Sequence, residues 1–260
     1  MPQPLRSEDI YKIQKGVYMS KSKFEEEHDR IRKEIWSLIN VENRVVIDVG
    51  VGLDATSTKT LIDKGASVIT VDTDIEALGK HKGIDTAFVC CDIRDIPFKP
   101  GIADAVLFNF TLHEIDPLFH DDILSEMASI ASQVIIIEPS PGTTEGYKRF
   151  ETLWRESMHA VGKFEDYQPV QYWETLVQAN GFNLVLSRTI EHREDVPPEA
   201  IEDMIHFTTD WLEEENVPEK YMNEAKNLRE YAKKVEMKLS DITVVIGQSK
   251  IAAHRNRHIF

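Results

Sequence analysis

The stretch Arg44–Gly52 reads R-V-V-I-D-V-G-V-G, an apolar, β-branched run into an aspartate and two glycines one residue apart. Glycines at the end of a strand let the backbone turn where a side chain would clash, and they let a ligand approach the chain closely. A helix expected from about Asp54 to Lys64 would aim its unpaired N–H groups at that ligand. The rest of the chain has to be compatible with this strand–turn–helix opening.

Apolar strand candidates recur at Val45–Val49, Ser67–Val71, Ala87–Cys91, Ala105–Asn109 and Gln133–Glu138, with helices expected at Thr56–Asp63, Ile75–His81 and Asp121–Ile130. Short apolar strands alternating with helices predict a doubly wound, mostly parallel sheet covered on both faces, joined by right-handed crossovers. Further on, helices are expected near Tyr147–His159 and Val170–Asn180, the second stopped by Asn180–Gly181. Strands at Phe182–Thr189 and Asp241–Gly247 could then pair. Pro197–Lys238 is too long for a loop and reads as two helices split by Pro218, a lid or a dimerisation element. Before the sheet, Phe24, His28, Ile31, Ile35 and Leu38 recur at helical spacing. The expected organisation is a helical cap over residues 1–42, an α/β core over 43–192 and 239–250, and a helical insertion over 193–238.

A length of 260 residues suits one sizeable core with additions. The formal charge of −15 argues against a nucleic-acid partner, because phosphate binding needs a basic face. The two cysteines, Cys90 and Cys91, are neighbours, and a bridge between neighbours strains the peptide. They read as reduced thiols in a cytoplasmic chain. No apolar run is long enough to span a bilayer, and Met1–Ser20 lacks the apolar centre of a signal peptide. The tail His254–Phe260 reads as an exposed end.

Two ligand classes use a glycine turn after a first strand. Gly50, Gly52 and Ala55 satisfy the G-x-G-x-x-G/A spacing of a dinucleotide fold, with Asp72 about twenty residues on. That pattern does not require Asp48, an acid just before the glycines. An aspartate there repels a pyrophosphate and suits a cationic ligand.

At this point the chain resembles the class I S-adenosylmethionine-dependent methyltransferases, from roughly Arg44 to Gly247. Asp48-Val49-Gly50-Val51-Gly52 is similar to their acidic glycine loop under the methionine part of the cofactor. Asp72, ending Val68-Ile69-Thr70-Val71-Asp72, is similar to the acid that binds both ribose hydroxyls. Cys91-Asp92-Ile93-Arg94-Asp95-Ile96-Pro97-Phe98 resembles the segment whose first aspartate accepts from the adenine amino group. Ala103–Asn109 resembles the fourth strand, Leu112-His113-Glu114-Ile115 the turn after it, and Asn180-Gly181-Phe182 the step into the sixth strand.

The resemblance implies a seven-stranded sheet with an antiparallel last strand and S-adenosylmethionine as cofactor. It places Asp48, Gly50, Gly52, Asp72, Thr73, Asp92, Ile93 and Asn109 in the cofactor site, with no metal. Asp54 stands where the family often has a third glycine; an aspartate there can cap the next helix. No N-P-P-Y-type motif follows the fourth strand, which argues against the DNA-adenine and glutamine methyltransferase subgroups.

Methyl transfer needs alignment and exclusion of water, and a base only if the acceptor loses a proton. His113 is the candidate base. Glu138 could meet an acceptor or serve the fold, and Glu114 could cap a helix or face solvent. Tyr147, Arg149, Trp154, His159 and Trp173 could wall an acceptor pocket or simply pack, and Tyr11 and Tyr18 could close over the cofactor. The expected acceptor is a small molecule, with no membrane partner and a possible homodimer. Two rivals remain open, a nicotinamide-dependent oxidoreductase and a non-catalytic S-adenosylmethionine-binding partner subunit.

Overall fold

The computed structural model describes residues 22–249; Tyr11, Tyr18 and the tail His254–Phe260 lie outside them. Its chain divides into two compact units. One holds Leu38–Glu138, Gln168–Thr189 and residues 243–249. The other holds residues 22–37, Pro139–Tyr167 and Ile190–Ile242.

The first unit is built on the sheet. Its strands are β1 (Val45–Val49), β2 (Ser67–Asp72), β3 (Ala87–Cys90), β4 (Ala103–Asn109), β5 (Ala131–Pro139), β6 (Phe182–Ile190) and β7 (Ile242–Ser249). They lie in the order β3-β2-β1-β4-β5-β7-β6, six parallel and one antiparallel. β1 registers against β2 on one side and β4 on the other, so Asp48 lies beside Thr70 and Leu107. The connections reverse direction between β1 and β4, and in doubly wound sheets ligands bind in the crevice beyond the strand ends at such a reversal.

β4 and β5 each begin two residues earlier than the sequence suggested, and polar residues at these strand starts are tied in. Val45 N–H donates to Asp104 Oδ2 at 2.8 Å, and Arg44 Nη1 donates to Gln133 Oε1 at 2.8 Å.

The helices of this unit, in chain order after α1 (Lys23–Ser37) of the other unit, are α2 (Thr56–Asp63), α3 (Ile75–Lys80) and α4 (His120–Ile130). After α5 (Glu145–Ala160) of the helical unit comes α6 (Val170–Ala179). Ile47, Val106, Phe108, Met127, Ile136 and Trp173 share one buried core. Each side chain of that kind contributes roughly 1.5–3 kcal/mol by leaving water. Gly247 in β7 makes room for α6: a β-carbon there would lie 2.5 Å from Val177 Cγ1 and 2.9 Å from Phe182 Cβ.

The second unit is helical, with α1, α5, α7 (Pro198–Glu214) and α8 (Glu219–Ala232). Its extent differs from the 193–238 insertion expected from sequence, since α5 shares its core. Trp154 of α5 packs on Trp211 of α7 at 4.8 Å between ring centroids, and Leu153, Ile205 and Leu228 join the same cluster. α1 is anchored by polar groups. Arg30 bonds Glu27 and Glu34 at 2.7 Å each and donates to Glu191 O at 2.6 Å. Glu27 also accepts from Arg193 N–H at 2.8 Å, and these donors hold its carboxyl down at about 2. Beside them His28 and His192 are buried with ring centroids 5.8 Å apart.

No described helix is long and apolar enough to cross a membrane.

Candidate functional site

The three positions of the glycine pattern share a left-handed backbone: φ is 89° at Gly50, 61° at Gly52 and 50° at Ala55. Two of them are the residue that adopts this conformation without strain, and the third is a buried alanine. Gly50 N–H donates to Val71 O at 2.8 Å, which fixes the loop against β2. The cap position of α2 falls on Ala55 and carries no side-chain cap, so the expected capping by Asp54 is not how this helix starts; Asp54 lies one residue outside it.

The three acids have different surroundings. Asp48, 0 % exposed, accepts from Ser57 Oγ at 2.8 Å and Thr58 Oγ1 at 2.6 Å. It therefore locks the first turn of α2 onto β1. Asp72 ends β2 and accepts two backbone N–H groups: Val51 to Oδ2 at 2.8 Å and Asp74 to Oδ1 at 2.9 Å. A carboxylate has about four lone-pair directions, so two more hydrogen bonds fit at Asp72. Asp92 follows β3 and remains partly exposed, clamped by Arg94 Nε at 2.9 Å and Nη2 at 2.5 Å. That guanidinium holds the Asp92 carboxyl below the usual carboxylate range.

Thr73 is exposed, Ile93 is buried in the sheet core, and Asn109 is the buried last residue of β4. Leu53, Ile75, Leu118 and Phe119 leave apolar surface exposed in the segments after β1, β2 and β4, with Arg94 stacked 4.8 Å over the Phe119 ring. The positive-φ glycines allow a close approach to the backbone, and the two unused acceptor directions of Asp72 suit a ligand carrying hydroxyl donors.

Beyond β4 the chain turns through Phe110, whose φ of 55° is rare for a bulky residue. The next residues form a 3-10 turn, Leu112–Glu114. Glu138 at the end of β5 grips it. Its Oε1 accepts from the N–H of Thr111 at 2.9 Å and of Leu112 at 2.7 Å, and its Oε2 meets His113 Nδ1 at 2.5 Å. Both side chains are buried, at 3 % exposure for His113 and 0 % for Glu138. From α4, His120 Nε2 lies 2.9 Å from Leu112 O and 3.1 Å from Ile115 O, and its Nδ1 lies 2.9 Å from Tyr172 Oη. Burial holds the His120 ring below its ordinary pKa. Glu114 is half-buried in the same turn.

The residues suggested as pocket walls have other partners. Tyr147 and Trp154 pack in the core of the helical unit, and Arg149 stacks 4.4 Å over Tyr231. His159 meets Asp166 at 2.8 Å, while Trp173 lies in the sheet core. Sequence reasoning overlooked Phe110, which no glycine marked, and His120, whose partners are backbone carbonyls with no sequence signature.

A family model described as a methyltransferase domain matches residues 47–134. A demethylmenaquinone methyltransferase of Beutenbergia cavernae is 33% identical over 114 residues, 42% of this chain and 45% of that protein. The chain thus spans less than half the length of the curated relative it matches. Among solved structures, a candidate methyltransferase from an antibiotic biosynthesis pathway of Anabaena variabilis superposes with a TM-score of 0.61 at 14% identity, covering 84% of this chain and 96% of that one. The geranyl diphosphate C-methyltransferase of Streptomyces coelicolor, solved with S-adenosyl-L-homocysteine, gives 0.51 at 11% identity, with coverages of 85% and 80%. Likeness at such identities speaks for the fold, and the match to the methyltransferase-domain model falls within the sheet unit of this chain.

Proposed function

We propose that this protein transfers a methyl group from S-adenosylmethionine to a small-molecule acceptor by in-line displacement. The observation that carries the reading is the pair Asp72 and Asp92 at adjacent strand ends, beside a loop with two positive-φ glycines. In this reading Gly50 and Gly52 admit the methionine part close to the backbone. Asp72, with Thr73 next to it, takes the ribose hydroxyls; Asp92 takes the adenine amino group, and Ile93 packs beside the base. Asn109 stands at the tip of β4 near the reacting end, and Asp48 acts through the loop it fastens to α2. When bound, the cofactor supplies a methyl group on a positive sulfur, an electrophile that needs no further activation. The protein's task is then to orient the acceptor and exclude water. His113 serves as the base for an acceptor that loses its proton.

The curated relative's match covers 42% of this chain. Its quinone-type acceptor is therefore one candidate to test among small molecules. Cytoplasmic residence, a homodimer and the absence of nucleic-acid partners belong to the same proposal.

The test is ligand-dependent melting. A ligand at a hundred times its Kd stabilises the native state by about 2.7 kcal/mol, so S-adenosylmethionine and S-adenosylhomocysteine should raise the Tm and NADH should not. A rise with NADH alone would replace this reading by the oxidoreductase. Cofactor binding without turnover over a broad acceptor panel, together with a stable hetero-complex, would favour a partner subunit.

A further inference from the structure

We infer that Arg94 and Phe119 form a clasp across the adenine end of the cofactor crevice, which parts for the nucleoside to enter and to leave. The inference deepens the methyl-transfer reading and rests on it for the ligand. The clasp joins two segments that the sheet holds apart. β1 pairs in parallel with β2 and β4, and β2 with β3, so all four strands end at one edge, in the order β3-β2-β1-β4. Three strand spacings, about 14 Å, separate β3 from β4. Yet Arg94, in the segment after β3, lies over the ring of Phe119, in the segment after β4, with its guanidinium carbon 4.8 Å from the ring centroid. The contact therefore reaches past the ends of β1 and β2, where the glycine loop and Asp72 stand.

Each half of the clasp is anchored by its neighbours. Ile93 is buried in the sheet core, which leaves the next residue, Arg94, exposed. On the other side Asp116 caps the 3-10 turn Pro117–Phe119, accepting from Leu118 N–H at 2.9 Å. The fully buried His120 fixes the chain just beyond it, while Phe119 stays 36 % exposed. The bonds that shut the clasp are an exposed ion pair and a cation–π contact, both weak in water. Such a closure opens readily while its two supports keep their places.

Asp92 ties the clasp to the ligand. Its Oδ1 accepts Arg94 N–H and Nε–H, each at 2.9 Å, and its Oδ2 accepts Nη2 at 2.5 Å, with Nε also 3.0 Å away. Three donors thus use three of the roughly four acceptor directions of the carboxylate. In the proposed function the adenine amino group gives Asp92 one proton, so one direction suffices and the clasp can close on the bound base.

The probe is S-adenosylhomocysteine, which has no net charge near neutral pH and is therefore not steered by the overall charge of −15. Surface plasmon resonance on the immobilised full chain reads its association and dissociation rates. Arg94→Met removes the guanidinium, and Phe119→Ala removes the ring while leaving Asp92 paired. Each should raise both rates by about three- to ten-fold, the range that contacts this weak can impose, with Kd moving less than either rate. The double variant should be no faster than the faster single one, because either change already opens the same clasp. Acceleration of dissociation alone, the mark of a lost ligand contact, overturns the inference. So do unchanged rates, slower association, or effects that multiply in the double variant. Should one variant fail to fold, the other decides. A native chain that does not bind S-adenosylhomocysteine sinks the methyl-transfer reading and the clasp's role with it, whereas normal binding with rates indifferent to both changes sinks the clasp alone.

Discussion

Two of the lone-pair directions of Asp72 are used by the backbone N–H groups of Val51 and Asp74, and in the proposed function the other two take the ribose hydroxyls. Asp72→Ala should weaken S-adenosylmethionine binding by about 1–3 kcal/mol, the usual cost of losing charge-assisted hydrogen bonds. Titration calorimetry checks this, and an unchanged Kd would remove Asp72 from the site. The position of Asp72 at the end of β2 was legible in the sequence, because an acid closes an apolar run there. Glu138 was half legible. Its place at the end of β5 could be read, but its bonds join residues 25 to 27 positions apart, and no local pattern reports those. Phe110 was illegible for another reason: its left-handed backbone, with its N–H donated to Ile137 O of β5, falls on a residue that locally prefers otherwise.

Among the elements, α2 has the bounds that its periodicity predicts, and most strands agree within two residues. The membership of α5 in the helical unit was not readable, since an amphipathic face shows that a helix packs but not against what. β7 carries a sharper test. A methyl group at Gly247 would press on Val177 and Phe182, so Gly247→Ala should destabilise by about 1–3 kcal/mol in urea unfolding. Stability equal to the native protein would show that α6 can shift at no cost.

The anchoring of α1 gives a pH dependence. Burial, together with the nearby His192 charge, lowers His28 to about 4, and burial lowers His192 to about 4 as well. Both pKa values lie below the ordinary 6.5, so the unfolded chain takes up the protons first. The stabilisation is therefore complete above about pH 6.5 and is lost as pH falls toward 4, at up to about 1.4 kcal/mol per pH unit for each ring. Glu27, held at about 2, contributes above its ordinary 4.5 and loses its share only at lower pH. Denaturant unfolding at pH 7 and pH 5 should thus show a drop that His28→Leu with His192→Leu removes. An equal slope in the double variant would contradict the assignment.

For the molecule as a whole, the fold class was the readable part, because it rests on short segments repeated in a fixed order. One consequence of the strand order concerns synthesis. β6 is translated before β7, yet β7 lies between β5 and β6 and is the one neighbour of β6 among the described strands. As the polypeptide emerges from the ribosome, β6 has no partner until some fifty further residues, including α7 and α8, have followed it. A nascent chain halted before Ile242 should therefore leave that strand open to proteases and to wrong pairings, and release of the finished chain should close the vulnerable period.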